Sequence, residues 1–369
     1  MNITNNKSVP DVFVKAIKEG RWYSGVGETR DYSVTELLQP AKILHLTKRH
    51  KHEIETDVTE SLYMLMGSAL HLILERAMLN SASQQIISRA RNFVNEIDSV
   101  KNISDDSIAE IFANTLMGKI DGVDIFDLAK QVKNEEYIIE KRFKYVTKSG
   151  KIITGGVDCY SVKDRTISDY KLSSVWTWIY RNRPGSRKED WATQLNMYRL
   201  FMENMGYPVD KLCINLLFRD HSKSKAKIEQ NYPDPVETLE LPLLGLDVVE
   251  EMIENKVAEI EKYNTVLDDG IPFCNSNERW QQHDTWAVRK VTNKTASKVE
   301  FSYADAKRWL DAEVSKLAER DIAKGMEPAR AMKRASDIFI IEKRPGQSTR
   351  CESWCPVNKF CDFYRTLPK

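Results

Sequence analysis

Lys151-Ile-Ile-Thr-Gly-Gly-Val-Asp158-Cys-Tyr-Ser-Val-Lys-Asp-Arg-Thr-Ile-Ser-Asp169-Tyr-Lys171 reads as two β-type runs around a tight Lys163-Asp164 turn. A third run, Tyr137-Ile-Ile-Glu-Lys-Arg-Phe143, precedes it through Lys148-Ser-Gly-Lys151. The pattern predicts a three-stranded antiparallel meander. A period of two then sends Asp169 and Lys171 to one face, and pairing across the short turn brings Asp158 beside Asp169. Two ionised carboxylates side by side repel, so the arrangement makes most sense with a hard divalent cation between them, Mg²⁺ or Mn²⁺. Such an ion acidifies bound water and neutralises phosphate charge, and Lys171 can orient that water or stabilise the developing oxyanion. Phosphodiester hydrolysis fits this set. Taken alone, the same triplet would also suit a surface ion-pair ladder across strands.

The elements around the meander predict an α/β layered core. Upstream, Leu62, Leu65, Met66, Ala69, Leu70, Ile73, Leu74 and Ala77 recur at helical spacing within a helix over about 60–98, and a second helix is expected beyond the polar break at Ser104. Downstream come a helix over Trp191 to Met205, with Trp191, Leu195, Tyr198 and Met202 on one stripe, an apolar strand over Lys211 to Phe218, and a helix over about 247–264. Residues 1–58 read as an N-terminal arm with a capped turn at Ser33 ended by Pro40. The core then spans 59–267, a basic and mainly helical accessory lobe 268–350 with a long helix from about Ser302 to Gly325, and a cysteine-rich tail 351–369.

Composition bounds the function classes. The chain has 369 residues, 41% hydrophobic and 30% charged, which suits one large or two ordinary globular domains rather than disorder or a repeat. Its net charge of +1 excludes a uniformly polybasic DNA coat. Residues 279–369 nevertheless carry 19 basic against 12 acidic residues, so the preceding part is net acidic. No run approaches a bilayer span and the first residues lack the apolar run of a signal peptide, so a cytoplasmic protein is expected. In a reducing compartment the six cysteines are not expected to pair as disulfides.

Four short motifs stand in order: Gly67-Ser-Ala-Leu-His71, Gly156-Val-Asp158, Asp169-Tyr170-Lys171 and Gln194-Leu-Asn-Met-Tyr198. In that order they resemble the PD-(D/E)XK nuclease superfamily, specifically its RecB-like branch, which includes phage and CRISPR-associated exonucleases. The resemblance implies a restriction-endonuclease-like core, a central mixed sheet flanked by helices, and a metal held by His71, Asp158, Asp169 and the backbone carbonyl of Tyr170. Lys171, Gln194 and Tyr198 complete the implied catalytic set. On the helix, Gly67, His71 and Glu75 share one face, where Gly67 would permit close approach to the sheet. Gln194 and Tyr198, also four apart, suit a phosphate or the Lys171 amine, or form a buried polar pair that orients the helix. Glu140 is either an outer acid of the site or a solvated edge residue.

Cys351-Glu-Ser-Trp-Cys355-Pro-Val-Asn-Lys-Phe-Cys361 gathers three thiols that a metal could collect. Relatives in the RecB-like branch with an iron-sulfur cluster carry three cysteines after the core and a fourth before it. This chain has none before Cys159, so Cys274 is the expected fourth ligand of a [4Fe-4S] cluster, with structural Zn²⁺ or unliganded thiols as alternatives. Between the Asp169 strand and the Gln194 helix, Trp178, Arg181, Arg183, Arg187 and Lys188 form an aromatic and basic loop suited to DNA, or a partly packed surface loop. The expected activity is metal-dependent deoxyribonuclease, an exonuclease of phage or mobile-element recombination or replication, on single-stranded or free-ended DNA. The rivals are a non-cleaving scaffold and a flap or branch endonuclease. No P-loop is present, so unwinding would need a helicase or recombinase partner.

Overall fold

A computed structural model describes residues 2–19, 29–96, 119–120, 123–124, 137–183 and 186–367. It divides into two units, Met1–Val266 and Leu267–Lys369. The second helix expected beyond Ser104 falls outside the described residues.

The first unit is mixed α/β. Its six-stranded sheet contains β1 (Tyr32–Ser33), β2 (Tyr137–Val146), β3 (Ile152–Ser161), β4 (Thr166–Ser173), β5 (Lys211–Phe218) and β6 (Val236–Leu241). The order is β6-β5-β4-β3-β1, with β2 paired along the other edge of β3. β2-β3-β4 is the expected antiparallel meander, and β5 joins β4 in parallel. The β3–β4 ladder is short, running only from Ser161↔Thr166 to Cys159↔Ser168. Asp158 and Asp169 would be the next pair, but there the strands part. The Asp158 carboxylate takes over a ladder bond, accepting the Tyr170 N–H at 3.0 Å, while β1 fills the vacated edge of β3 at Ile153 and Thr154. A fork in the sheet results, with both acids at its throat.

Helices α1 (Val34–Leu37), α2 (Ala41–Arg49), α3 (Val58–Glu96), α4 (Val175–Ile179), α5 (Arg187–Glu203) and α6 (Leu246–Lys262) surround the sheet. α3 packs against β2 and β4; α5 lies on β2, β3 and β5, with α6 against it. β3 is therefore covered on both faces, and Ile153, Val157 and Tyr160 are almost wholly buried. The stripe expected on α5 is the core face: Trp191, Leu195, Tyr198 and Met202 are all buried. Each such side chain contributes about 1.5–3 kcal/mol on burial.

One expectation is corrected. Residues 31–58 are not a separate arm: Tyr32, Val34, Leu37 and Leu44 belong to the main core, and β1 is a strand of the sheet. The apolar stripe of α3 is divided, with Leu62, Leu65, Leu70 and Leu74 half-buried. Met66, Ala69, Ile73 and Ala77 are exposed, whereas Ser61 and Ser68 are buried. The helix turns the face carrying His71 and Glu75 toward the sheet, as their four-residue spacing leads one to expect.

The second unit has its own core. Helices α7 (Tyr303–Ala323) and α8 (Pro328–Ser336) pack around a three-stranded antiparallel sheet of β7 (Thr285–Lys290), β8 (Lys298–Glu300) and β9 (Phe339–Arg344), in the order β8-β7-β9. Val288, Ala306, Val314, Ala318, Ala331, Ala335 and Phe339 form its centre. Helices hold the larger share, as expected, but the sheet went unread because its strands are short. The cysteine tail belongs to this unit, with Cys351 on α9 (Thr349–Ser353). No helix among the described residues is long and apolar enough to cross a membrane.

Candidate metal centre

Above the fork lies a cleft of about 750 Å³, within the usual range for small-ligand sites. α3 supplies His71 and Glu75, β2 supplies Glu140, β3 supplies Asp158, β4 supplies Asp169 and Lys171, and α5 supplies Gln194 and Tyr198. Four of the five elements are the ones that the short motifs mark; β2 adds the other.

His71 is fixed by its Nε2, which lies 2.8 Å from the Tyr170 carbonyl oxygen and donates to it. That bond leaves Nδ1 facing two carboxylates, Asp158 Oδ2 at 3.4 Å and Glu140 Oε1 at 3.7 Å. One ligand atom from each of His71, Glu140 and Asp158 falls within 4.8 Å of the other two. In the neutral ring all three are acceptors, and Nδ1 is buried with no hydrogen-bond donor. A proton or a metal cation would suit this trio. Its one imidazole nitrogen and two carboxylates suit Mg²⁺, Mn²⁺ or another hard to borderline divalent ion.

The electrostatics agree with that reading. Asp158 is held above the usual carboxylate range, first by burial and then by the charge of Asp169. Burial pushes the His71 imidazole down, but Glu140 and Asp158 more than offset this and its pKa is raised. A proton and a metal ion would satisfy the same acceptors. Asp169, 2% exposed, has Oδ2 2.6 Å from the Lys171 ammonium. Burial alone would favour neutral lysine; the charges of Asp169 and Asp158 reverse this and keep Lys171 protonated.

Several expectations change in detail. Asp169 reaches the fork but pairs with Lys171 rather than joining the three-residue cluster, and the Tyr170 carbonyl is taken by His71. Glu140, left open between two roles, stands in the cluster. Gly67 does not serve close approach, since a Cβ there would meet nothing within 4 Å. Gly155 does: a Cβ on it would lie 2.5 Å and 2.7 Å from carbons of the Tyr198 ring. Gln194 Nε2 donates to Tyr198 Oη at 2.8 Å, orienting the phenol toward the cleft. Burial, with the charge of Asp169, pushes that phenol up to about 12, so it stays a donor.

Residues not foreseen also line the cleft. Arg30, Arg76 and Arg142 bring positive charge, and Thr154 Oγ1 is buried without a hydrogen-bond partner. Alternation could have found Arg142, which follows Glu140 by two on β2. Among the described residues, none of Trp178, Arg181, Arg183, Arg187 and Lys188 lines the cleft. Arg181 stacks on Trp178 at 3.9 Å and Arg183 on Tyr180 at 3.8 Å, while Arg187 and Lys188 open α5. Farther along the chain, Arg334 and Lys343 are engaged by Asp321 and Asp284.

In the second unit, burial raises the thiols of Cys274, to about 12, and Cys351, to about 11. Neighbouring thiols add to both shifts, Cys355 and Cys351 for the first and Cys355 and Cys361 for the second. The four expected ligands therefore share one locality. Arg279 donates to the Cys274 carbonyl at 2.8 Å and Asn358 to that of Cys351 at 3.0 Å, each within its own segment, while the Arg350 N–H donates to the Arg279 carbonyl at 3.1 Å and ties the two segments. Cys159 and Cys213 are buried in β3 and β5 as core residues.

No protein-family model matches the chain, and no curated protein matches it. A crystal structure of SSO0001 is similar over 67% of this chain and 84% of that one, at 12% identity and a TM-score of 0.37. A likeness that weak carries no argument about fold or chemistry.

Proposed function

We propose that this protein is a metal-dependent deoxyribonuclease with a RecB-like PD-(D/E)XK core. The observation that carries the reading is the fork, where an acceptor-only trio of His71, Glu140 and Asp158 lies beside the Asp169–Lys171 pair. An ion-pair ladder needs no such trio. In this reading His71, Glu140 and Asp158 would hold Mg²⁺ or Mn²⁺, whose chemistry there would be to acidify water and offset phosphate charge. Asp169 fixes the Lys171 ammonium, and that ammonium orients the attacking water and stabilises negative charge building on the phosphate. Tyr198, set by Gln194, donates to a phosphate oxygen, and the arginines of the cleft hold neighbouring phosphates.

The cysteine group is proposed as a [4Fe-4S] site. Tetrahedral zinc, with Zn–S near 2.3 Å, brings its thiolates to about 3.8 Å from one another. Among the described residues no three of these thiols come within 4.8 Å of one another, so the choice of the iron-sulfur cluster over zinc rests on the resemblance to the RecB-like branch. Visible absorption of anaerobically purified protein, with iron and zinc analysis, tests this; a colourless protein with stoichiometric zinc would overturn it.

The nuclease test uses labelled linear, closed-circular and single-stranded DNA with Mg²⁺ or Mn²⁺, and an EDTA control. Wild-type protein should cleave, and Asp158→Ala and Lys171→Ala should each lose at least about 100-fold in rate, the scale of losing an electrostatic catalyst. Equal cleavage by wild type and Lys171→Ala would remove this mechanism. Binding without cleavage would favour a scaffold, and the closed circle separates cutting at ends from internal cutting.

A further inference from the structure

The segment after Lys171 is built as a stack. Ser174 caps α4, and Asp220 accepts both the Ser174 hydroxyl at 2.5 Å and the Val175 N–H at 2.8 Å, which fixes the helix to the end of β5. One turn apart on this platform, Trp176 and Tyr180 lie nearly parallel, with centroids 5.5 Å apart and planes 11° from each other. The Arg183 guanidinium sits 3.8 Å from the Tyr180 centroid. One face of a ring cannot hold both neighbours at those distances, so Tyr180 is sandwiched between Arg183 and Trp176. Trp176 is then the outermost ring of a three-layer stack, and it is 54% exposed. Trp178 has the opposite role: it packs against the main core and carries Arg181 on its ring.

We infer that Trp176 is a stacking platform for a base of single-stranded DNA, a reading that rests on the proposed nuclease only for where the strand leads. An exposed indole already held in a stack has little freedom to lose when a further flat ring is added. Every base offers a π-face, and base–aromatic stacking of this kind is tolerant of sequence. The surroundings select an anionic ligand. Residues 174–190 contain Arg181, Arg183, Arg187 and Lys188 against Glu189 and Asp190, a surplus of two positive charges, and the adjoining carboxylate of Asp220 is already engaged by two donors. The path is also short: Trp176 follows Lys171 by five residues, so their Cα atoms are at most about 18 Å apart. A base on Trp176 would lie a few nucleotides from a phosphate at Lys171. Paired bases are stacked within their duplex and cannot reach the indole, so the platform is selective for unpaired strands.

Fluorescence anisotropy of the full chain with labelled oligothymidylate, in EDTA so that no cleavage occurs, tests this against Trp176→Ala and Trp176→Phe. The alanine variant should bind the single strand about tenfold more weakly, the phenylalanine variant should retain most of the affinity, and duplex binding should change less than about twofold. Thermal melts check that both variants are folded. The inference is overturned if wild type binds no single strand, if Trp176→Ala binds within about twofold of wild type, or if duplex binding falls equally. Tighter binding of oligouridylate than of oligothymidylate would overturn the assignment to DNA. Cleavage is measured separately with metal: a Trp176-dependent strand affinity without cleavage removes the hydrolase and keeps the platform. Cleavage with an indifferent Trp176 does the reverse.

Discussion

Glu140 lies in the middle of β2 with φ at 48°, in the left-handed region that a residue bearing a side chain enters at a cost of about 1–2 kcal/mol. Nothing in strand geometry asks for this. The kink is explained if it aims the carboxylate at His71 and Asp158, with strain retained for the sake of the site. Glycine relieves that strain and alanine does not, so Glu140→Gly should be more stable than Glu140→Ala by about 1 kcal/mol in urea unfolding. Both should bind Mn²⁺ at least about tenfold more weakly than wild type, read by electron paramagnetic resonance of unbound Mn²⁺. Unchanged Mn²⁺ binding in both would remove Glu140 from the ligand set. Gly155 makes a complementary case, since its missing Cβ is where the Tyr198 ring sits. Gly155→Ala should cost about 1–3 kcal/mol through overpacking of β3 against α5. A melting temperature equal to wild type would show that the contact yields without strain.

Elements meet at joints whose chemistry can be titrated. Tyr32 on β1 donates its hydroxyl to Glu261 near the end of α6, and Lys151 at the start of β3 lies 3.3 Å from the same carboxylate. The Tyr32 hydrogen bond is the main cause that holds Glu261 below the usual glutamate range. A carboxyl lowered on folding contributes stability above its ordinary pKa and loses it as pH falls through the lowered value. Tyr32→Phe should therefore cost about 1 kcal/mol near neutral pH, and the gap from wild type should shrink as the medium is acidified below the glutamate range. A gap independent of pH in urea titrations would mean that the phenol acts through packing alone. This joint was illegible in the sequence, because residues 32 and 261 meet only after the sheet has formed. The meander and the α5 stripe were legible because period-two and period-3.6 patterns are local, and with them came the convergence of Asp158, Asp169 and Lys171. The exposure of half of the apolar stripe on α3 was not, since a helix that lends a polar face to a site reverses the usual signal. Glu140 escaped a firm reading for a similar reason: its role depends on a backbone kink that no residue pattern announces.

At the scale of the whole chain, the two units have separate cores, one centred on residues such as Leu195, Phe201 and Ile214 and the other on Val288, Ala306 and Phe339. The second is small and rich in alanine, and it spans about a hundred residues. The ligands proposed for it come from both ends of the unit, Cys274 near the start and Cys351, Cys355 and Cys361 near the finish. Cross-linking them through one cluster closes most of the unit into a loop and removes chain entropy from its unfolded state. Calorimetry of the full protein should consequently resolve two transitions. Cys355→Ser should lose the cluster's iron and lower one transition while leaving the other in place, and Leu195→Ala should lower the other by the ~2–5 kcal/mol of a core truncation. If Cys355→Ser lowers both transitions equally, or neither, the thiols do not act as a fastener local to the second unit.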